Sequence, residues 1–323
     1  MLADLVSRLQ RSLSIQHKQD IQAIVQTMGN QWTKEEILLG DDCAAIPDGD
    51  GYLLLAAEGM LPSLVETDPW FAGWCAVMVN VSDIYAMGGY PIAVVDTIWS
   101  HSSEIFQALL AGMQAAAQAY KVPIVGGHTN GRSDYHALSV AILGRAKKLI
   151  TSFDALPNNV LLIATDFRGQ CHPDYPFWNA STHTSPEQLR QNLAILPQLA
   201  ETGLCDAGKD ISNAGIIGTL LMLLETSGCG AILDLDRLPY PPEMTLERWL
   251  LSFPSYGFLL SVRPELVDEI QSRFHQQDLV CEAIGSFQNT SELTLQYQGE
   301  SSLFWDFNQQ ALTGFARQHS LKV

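Results

Sequence analysis

Carboxylates mark the ends of apolar runs at four places in this chain. In GDDCAA (residues 40–45) two adjacent acids, Asp41 and Asp42, follow a glycine. In YLLLAAEG (52–59) Glu58 leaves an apolar strand-like run beside a glycine. In SDIYAMGGYP (82–91) Asp83 sits near the end of an otherwise apolar stretch. In GKDISNAGIIGTL (208–220) Lys209 and Asp210 come just before a helix start. Adjacent acids cannot share one face of a strand, but a loop can aim both at one hard cation. A helix N-terminus offers free N–H groups to an anion, Asp210 could hold a cation bridging to it, and Lys209 is a phosphate contact. Each feature alone also has a plain structural reading: a solvated turn, a strand end, an internally capped acid, an ordinary capped helix.

The helix expected over residues 70–87 sharpens the case of Asp83. Trp70, Trp74, Val77, Met78, Val81 and Tyr85 form an apolar face at helical spacing. The opposite stripe is Gly73, Ala76, Asn80, Asp83 and Met87. A solvated stripe would carry Lys, Glu or Gln. Small residues instead imply close packing, so the stripe is covered. A covered carboxylate is costly unless it is paired or bound to metal. A further candidate is GGHTNGRS (126–133). It nearly matches the phosphate-binding P-loop, with Arg132 in the lysine position. That loop must open a helix, whereas DYHALSVAILG alternates like a strand. What remains is a glycine-rich loop after a strand, through Gly126, Gly127, His128 and Thr129, that lets a phosphate approach the backbone.

The elements that must position these groups alternate. Residues 1–30 read as helical, with Leu2, Leu5, Leu9 and Leu13 on one face. Two strands flank the turn PDGDG, with GDD at the end of the first. The helix over 70–87 is ended by GGYP. Strand IAVVDTIW, helix SSEIFQALLAGMQAAAQAY, strand VPIVGG and the alternating strand after it follow. We summarise this half as a βαββαβ sheet domain of an α/β (α+β) protein. TSFDALPNN is a polar connector, which sets domains at 1–150 and 151–323. The second half offers strand VLLIATDF, an aromatic loop CHPDYPFWNASTHTS, helices near 187–201 and 213–226, strands GAILDLD and YGFLLSV, a helix over 264–275 and closing strands near 279–298.

Composition restricts the partners. Hydrophobic residues make up 47% and charged residues 16%, enough for packed cores. The longest apolar stretch, AGIIGTLLMLL, falls short of the about 20 residues a membrane span needs. The first twenty residues carry acids and no signal-peptide core. Six scattered cysteines without a CxxC pair read as reduced thiols of a cytoplasmic protein. A formal charge of −17 argues against nucleic acid, whose phosphates want a basic stripe. It also means that any phosphate ligand must be met by cations, helix N-termini or a few placed Lys and Arg.

Taken in order, these pieces resemble the superfamily of aminoimidazole ribonucleotide synthetase, thiamine-monophosphate kinase, selenophosphate synthetase and the hydrogenase-maturation carbamoyl dehydratase. GDDCAA resembles the thiamine-monophosphate kinase motif. EGMLPSLVETDPWFAGWCAVMVNVSDIYAMGGYP and VGGHT resemble selenophosphate synthetase. KDISNAGIIGTL is similar to an Asp-containing, glycine-rich helix start, and SYGFLLSV (255–262) to the later Ser/Gly strand motif. The resemblance covers residues 36 to 265. It implies two domains, a homodimer whose N-terminal sheets join into a barrel, and Mg-ATP in a cleft between domains. It implies Asp41, Asp83 and Asp210 as metal-binding acids, with Asp83, Asp210 and Lys209 carrying the reaction. It implies Asp42, Glu58, Asn80, Gly126, Gly127, His128 and Thr129 as nucleotide contacts, Glu58 standing in the place of an Asp.

The departures bear on the reaction. There is no cysteine before Cys43, which argues against selenophosphate synthesis. AAEGML and His128 differ from the thiamine-monophosphate kinase pattern, and the chain closes on RQHSLKV without the dehydratase's Cys-bearing tail. The resemblance therefore identifies a superfamily and leaves the reaction open. The expectation is Mg-ATP-dependent phosphoryl transfer to an oxygen of a small metabolite. The alternative is a catalytically silent nucleotide-binding partner protein, and a metal-dependent hydrolase using the same acids is a third option. The 171–184 loop is the candidate for substrate recognition, with a packed crossover or dimer contact as its other reading.

Overall fold

The structure, a computed structural model, describes residues 1–28 and 37–315 of the 323. Three short helices open the chain: α1 (Leu2–Gln10), α2 (Leu13–Gln19) and α3 (Ile21–Met28). Then come β1 (Ala44–Asp48), β2 (Gly51–Gly59), α4 (Pro62–Thr67), α5 (Pro69–Ala86) and β3 (Tyr90–Trp99). They are followed by α6 (Ser103–Tyr120), β4 (Ile124–Asn130), β5 (Ala137–Ala146) and β6 (Val160–Thr165). Short strands β7 (Gln170–Cys171) and β8 (Phe177–Asn179) precede α7 (Pro186–Leu193) and α8 (Ile195–Thr202). Next are β9 (Ala207–Asp210), α9 (Gly215–Ser227), β10 (Gly230–Asp234), α10 (Leu246–Leu250), β11 (Phe253–Pro254) and β12 (Gly257–Val262). The described chain closes with α11 (Val267–His275), β13 (Val280–Gln288), β14 (Glu292–Tyr297) and β15 (Glu300–Asp306). Contacts divide it into two compact units, one of residues 42–149 with 184–201, the other of 1–41, 150–183 and 202 onward. The segments 1–41 and 184–201 thus each fold with the half of the chain to which they are not contiguous.

The first unit is a five-stranded sheet of order β1-β2-β5-β3-β4. Its neighbours are antiparallel except β3 and β4, which run parallel on either side of α6. Pro47 cannot donate to a ladder and lies on the edge strand β1, where that costs nothing. Asp48 pairs with Gly51 across a two-residue turn whose Gly49 has φ +64°, the sign such hairpins need. Asp68 caps α5 by accepting the Phe71 N–H, Pro69 fits its first turn, and Gly88 at φ +75° ends it. Every residue of α5 from Phe71 to Ala86 is buried. The cause is close packing on α6: a Cβ built on Gly112 would overlap the Trp70 carbonyl oxygen, and one on Gly73 the Leu109 carbonyl oxygen. The small stripe of α5 is therefore covered, as expected.

The second unit is a seven-stranded mixed sheet of order β15-β14-β10-β13-β6-β12-β9, with a small sheet β11-β8-β7. β12 and α9 are buried along their whole length. Leu2, Leu5 and Leu9 of α1 join this core. Leu13 is 69% exposed, because the chain leaves the helix at Ser12 and restarts with a new phase.

Several expectations change. Two strands precede the first long helix, so the element order of the first unit is ββαβαββ rather than βαββαβ. The sheet of the single chain is open, and the expected barrel is one between two copies of the chain. GDD precedes β1 instead of ending a strand. The GGHTN stretch is itself strand β4, because it finds a parallel partner in β3 that local glycine content does not reveal. The helix expected over 187–201 is two helices, and β15 adds a closing strand. Helix α9 starts at Gly215 behind Ala214 at φ 71°, with no side-chain cap from Ser212 or Asn213. The part of the N-terminal helical reading at 29–30, and the last eight residues, lie outside the described residues. No described helix is long and apolar enough to cross a membrane. All six cysteines are free thiols.

Candidate functional site

In the first unit, Asn80 and Asp83 stand one turn apart on the same stripe of α5, which the packing of Gly73 and Gly112 against backbone holds in place. Asn80 is fully buried and Asp83 is 6% exposed. The Asn80 Nδ2 donates to the Ala76 carbonyl at 2.8 Å. Its Oδ1 is buried with no hydrogen-bond partner among the described residues. Buried acceptors are rarely left so, and such an exception calls for an explanation. Asp42 and Asp83 each offer a carboxylate oxygen within 4.8 Å of the other. The open Asn80 acceptor thus lies on the stripe of α5 that also carries Asp83.

The sheet under α5 holds a second group. Glu58, at the end of β2, pairs in register with Val140 of β5, which pairs with Asp96 of β3, which pairs with Gly127 of β4. Val140 and the Asp96 neighbours Val94 and Ile98 are buried, so this row faces the helices. A Cβ on Gly127 would lie 2.7 Å from Asp96 Oδ1, so only glycine fits beside that carboxylate. Burial pushes the Asp96 carboxyl up from the usual aspartate value. Sequence reasoning missed Asp96. The signal was there: one acid inside the apolar run IAVVDTIW, the same pattern that singled out Glu58. Gly126 and His128 alternate with Gly127 and Thr129 along β4, so the four cannot all face one ligand. His128 lies on the opposite face from Asp96, with its ring 6.4 Å from that of Trp99.

Asp41 belongs to the second unit. Its Oδ2 accepts the Ser152 N–H at 2.9 Å. Lys209 and Asp210 end strand β9, both 3% exposed, and pair in register with Leu259 and Phe258 of β12. The chain then turns through Ala214 and Gly215, both at positive φ, into α9. A Cβ on Gly215 would meet the Leu250 carbonyl oxygen at 2.5 Å, so the helix start is seated on α10.

The 171–184 segment spends most of its aromatics on packing. Trp178 is fully buried and donates its Nε1–H to the Asp166 carbonyl at 2.8 Å. Tyr175 and Phe177 stack at 5.4 Å, and His172 packs edge-on against both.

Comparison with known proteins agrees with this architecture. Residues 40–146 match the AIR synthase related protein, N-terminal domain, and residues 165–298 match the AIR synthase related protein, C-terminal domain. An uncharacterized protein of Synechocystis sp. is 59% identical over 319 residues, covering 98% of this chain and 99% of its own. The structure of T. maritima PurL complexed with ATP superposes with a TM-score of 0.71 at 17% identity, covering 86% of this chain and 48% of that one. This chain thus spans about half the length of PurL. AaThiL complexed with AMPPCP and TMP gives a TM-score of 0.67 at 18% identity, covering 88% and 96%. At such identities the likeness speaks for the fold. The two domain matches together span well over half of the sequence. The chain belongs to the AIR synthase related protein family.

Proposed function

We propose that this protein binds Mg-ATP and transfers a phosphoryl group to an oxygen of a small metabolite. Two observations in the first unit carry the reading: carboxylates of Asp42 and Asp83 come within 4.8 Å, and the buried, unmatched Asn80 Oδ1 belongs to the α5 stripe one turn from Asp83. An all-oxygen donor set is what Mg2+ takes, so these residues fit the ion. In the metal role Asp42 replaces Asp41, whose Oδ2 accepts a backbone N–H. Asp210 and Lys209 are assigned to the same chemistry on their motif alone. Among the nucleotide contacts, Glu58 and Gly127 keep that assignment, and Asp96 joins them because it shares their row. The family, and the ATP and AMPPCP bound in the PurL and AaThiL structures, support a nucleotide.

Phosphoryl transfer asks a protein chiefly to position the reactants and neutralise charge. A chain of net charge −17 repels phosphate, and magnesium, when bound, supplies the opposing charge on the phosphate oxygens. The role of Asn80 and Asp83 is to fix donor positions before the ligand arrives, on a helix too tightly packed to shift. The face of the sheet away from the helices exposes Leu55, Val95 and Leu143. A contiguous exposed apolar face marks an interface, and we assign it to a second copy of this chain. Turnover is tested by phosphate release with Mg-ATP across a panel of small hydroxyl and carboxyl acceptors. At least one acceptor stimulates release by wild type and not by Asp83→Asn. The second reading, a silent nucleotide-binding protein, rests on Glu58 and His128 standing where relatives have Asp. Mg-ATP binding with no release on any acceptor favours it.

A further inference from the structure

Within the second unit, three consecutive residues at the end of α9 reach in two directions. Glu225 is 6% exposed. Its carboxylate accepts the backbone N–H groups of Leu312 and Thr313, each at 2.8 Å, and of Gly314 at 3.2 Å. The Thr313 hydroxyl also donates to it. One buried acid thus fixes a three-residue segment far along the chain. The next residue, Phe315, lies against Gly40: a Cβ built on Gly40 would stand 2.8 Å from Phe315 Cβ and Cγ. Gly40 has φ +111°, a conformation that other residues rarely adopt. In the other direction, Ser227 Oγ donates to the Ser152 carbonyl at 2.7 Å and accepts the Ala155 N–H at 3.1 Å. The Thr226 hydroxyl lies 2.7 Å from the same Ser152 carbonyl. Ser152 is itself fully buried, and its N–H donates to Asp41 Oδ2 at 2.9 Å.

We propose that Glu225, Ser227 and the segment Leu312–Phe315 are positioning residues that clamp the loop carrying Asp41 and Asp42. Phe315 presses on the residue before the acids, while Ser152, held by Thr226 and Ser227, grips the first acid. Asp42 follows Asp41 directly, so the backbone that leads into it is anchored at the two residues before it. The inference builds on the assignment of Asp42 to the metal under Proposed function. A charged acceptor satisfied by several donors is a strong anchor.

The variants are Phe315→Ala, which removes the contact with Gly40, and Glu225→Gln, which puts an amide where N–H groups converge. Phe315→Leu serves as the rescue. Amide hydrogen exchange over residues 37–43 is measured first, without nucleotide. Both variants speed exchange there about tenfold, the effect of losing one well-made contact, while the sheet amides of β6 and β12 keep wild-type protection. Calorimetry follows, with ATP in magnesium and ATP in chelator. The dissociation constant for Mg-ATP rises about tenfold in both variants, metal-free ATP is unaffected, and Phe315→Leu restores most of the loss. A purely structural role would move both titrations together, and that result overturns the proposal. So does wild-type exchange at 37–43 in both variants. If wild type binds no Mg-ATP, the phosphoryl-transfer reading fails instead, and the exchange data alone decide the clamp.

Discussion

Replacing Asn80 by leucine separates a functional polar group from a structural one. The side chain is fully buried, its Nδ2 has the Ala76 carbonyl, and its Oδ1 has no partner among the described residues. An unmatched buried acceptor costs about 1–3 kcal/mol, whereas the surviving hydrogen bond contributes about 0.5–1.5 kcal/mol. Leucine has the same branched skeleton, brings no polar atom, and is the better helix former by a few tenths of a kcal/mol. The sum favours the variant by about 1 kcal/mol without ligand, a rise in midpoint of roughly 1–2 °C at this chain length. With Mg-ATP at about 100 times its dissociation constant, wild type gains about 2.7 kcal/mol, and the variant gains almost nothing. The assay is thermal unfolding with and without Mg-ATP, read on both proteins. The reasoning fails if Asn80→Leu loses more than about 1 kcal/mol without ligand, because a structural amide would then be at work. It fails equally if the variant keeps the nucleotide-induced rise.

Three further outcomes follow from particular contacts. Gly112→Ala gains about 1 kcal/mol of helix propensity but drives a methyl into the Trp70 carbonyl. Urea unfolding therefore shows a net loss of about 2 kcal/mol, and a neutral result would mean that α5 and α6 separate freely. Asp96 holds its proton more tightly in the folded protein than in the unfolded one, because burial penalises the charge. Its contribution to stability is thus present below the ordinary aspartate value of about 3.9 and is lost as pH climbs through the raised folded value. Asp96→Asn should accordingly gain on wild type as pH rises from below the ordinary aspartate value toward neutrality; a difference that stays flat with pH contradicts the assignment. Leu143→Glu puts a charge into the exposed apolar sheet face. Sedimentation should show a wild-type dimer and a monomeric variant of unchanged midpoint, and a monomeric wild type removes the assignment of that face.

What could be read in the sequence was whatever depends on local period and composition. The helix α5 and its covered stripe were visible because Gly73, Ala76, Asn80 and Asp83 recur at helical spacing. The rejection of a P-loop held because DYHALSVAILG alternates, and β5 indeed buries every second residue. Pairing is not local, and there the reading fell short. GGHTN looked like a loop because glycines weaken strands, yet β3 supplies a partner that fixes it as β4. Its neighbour Asp96 was passed over for the same reason, since the row Glu58–Val140–Asp96–Gly127 exists only across four strands. Of the two acids in GDD, spacing cannot tell which lies beside Asp83. The fold answers it, bringing a carboxylate oxygen of Asp42 within 4.8 Å of one of Asp83. The anchoring of Leu312–Gly314 by Glu225 was likewise hidden in a helix that reads as uniformly apolar.

The most direct measurement is calorimetric titration of Mg-ATP into wild type and Asp83→Asn, each repeated with ATP in chelator. The account predicts saturable Mg-dependent binding to wild type and no such binding to a variant that unfolds at the same temperature. Magnesium-dependent binding that survives Asp83→Asn, or wild-type binding indifferent to the metal, would contradict it.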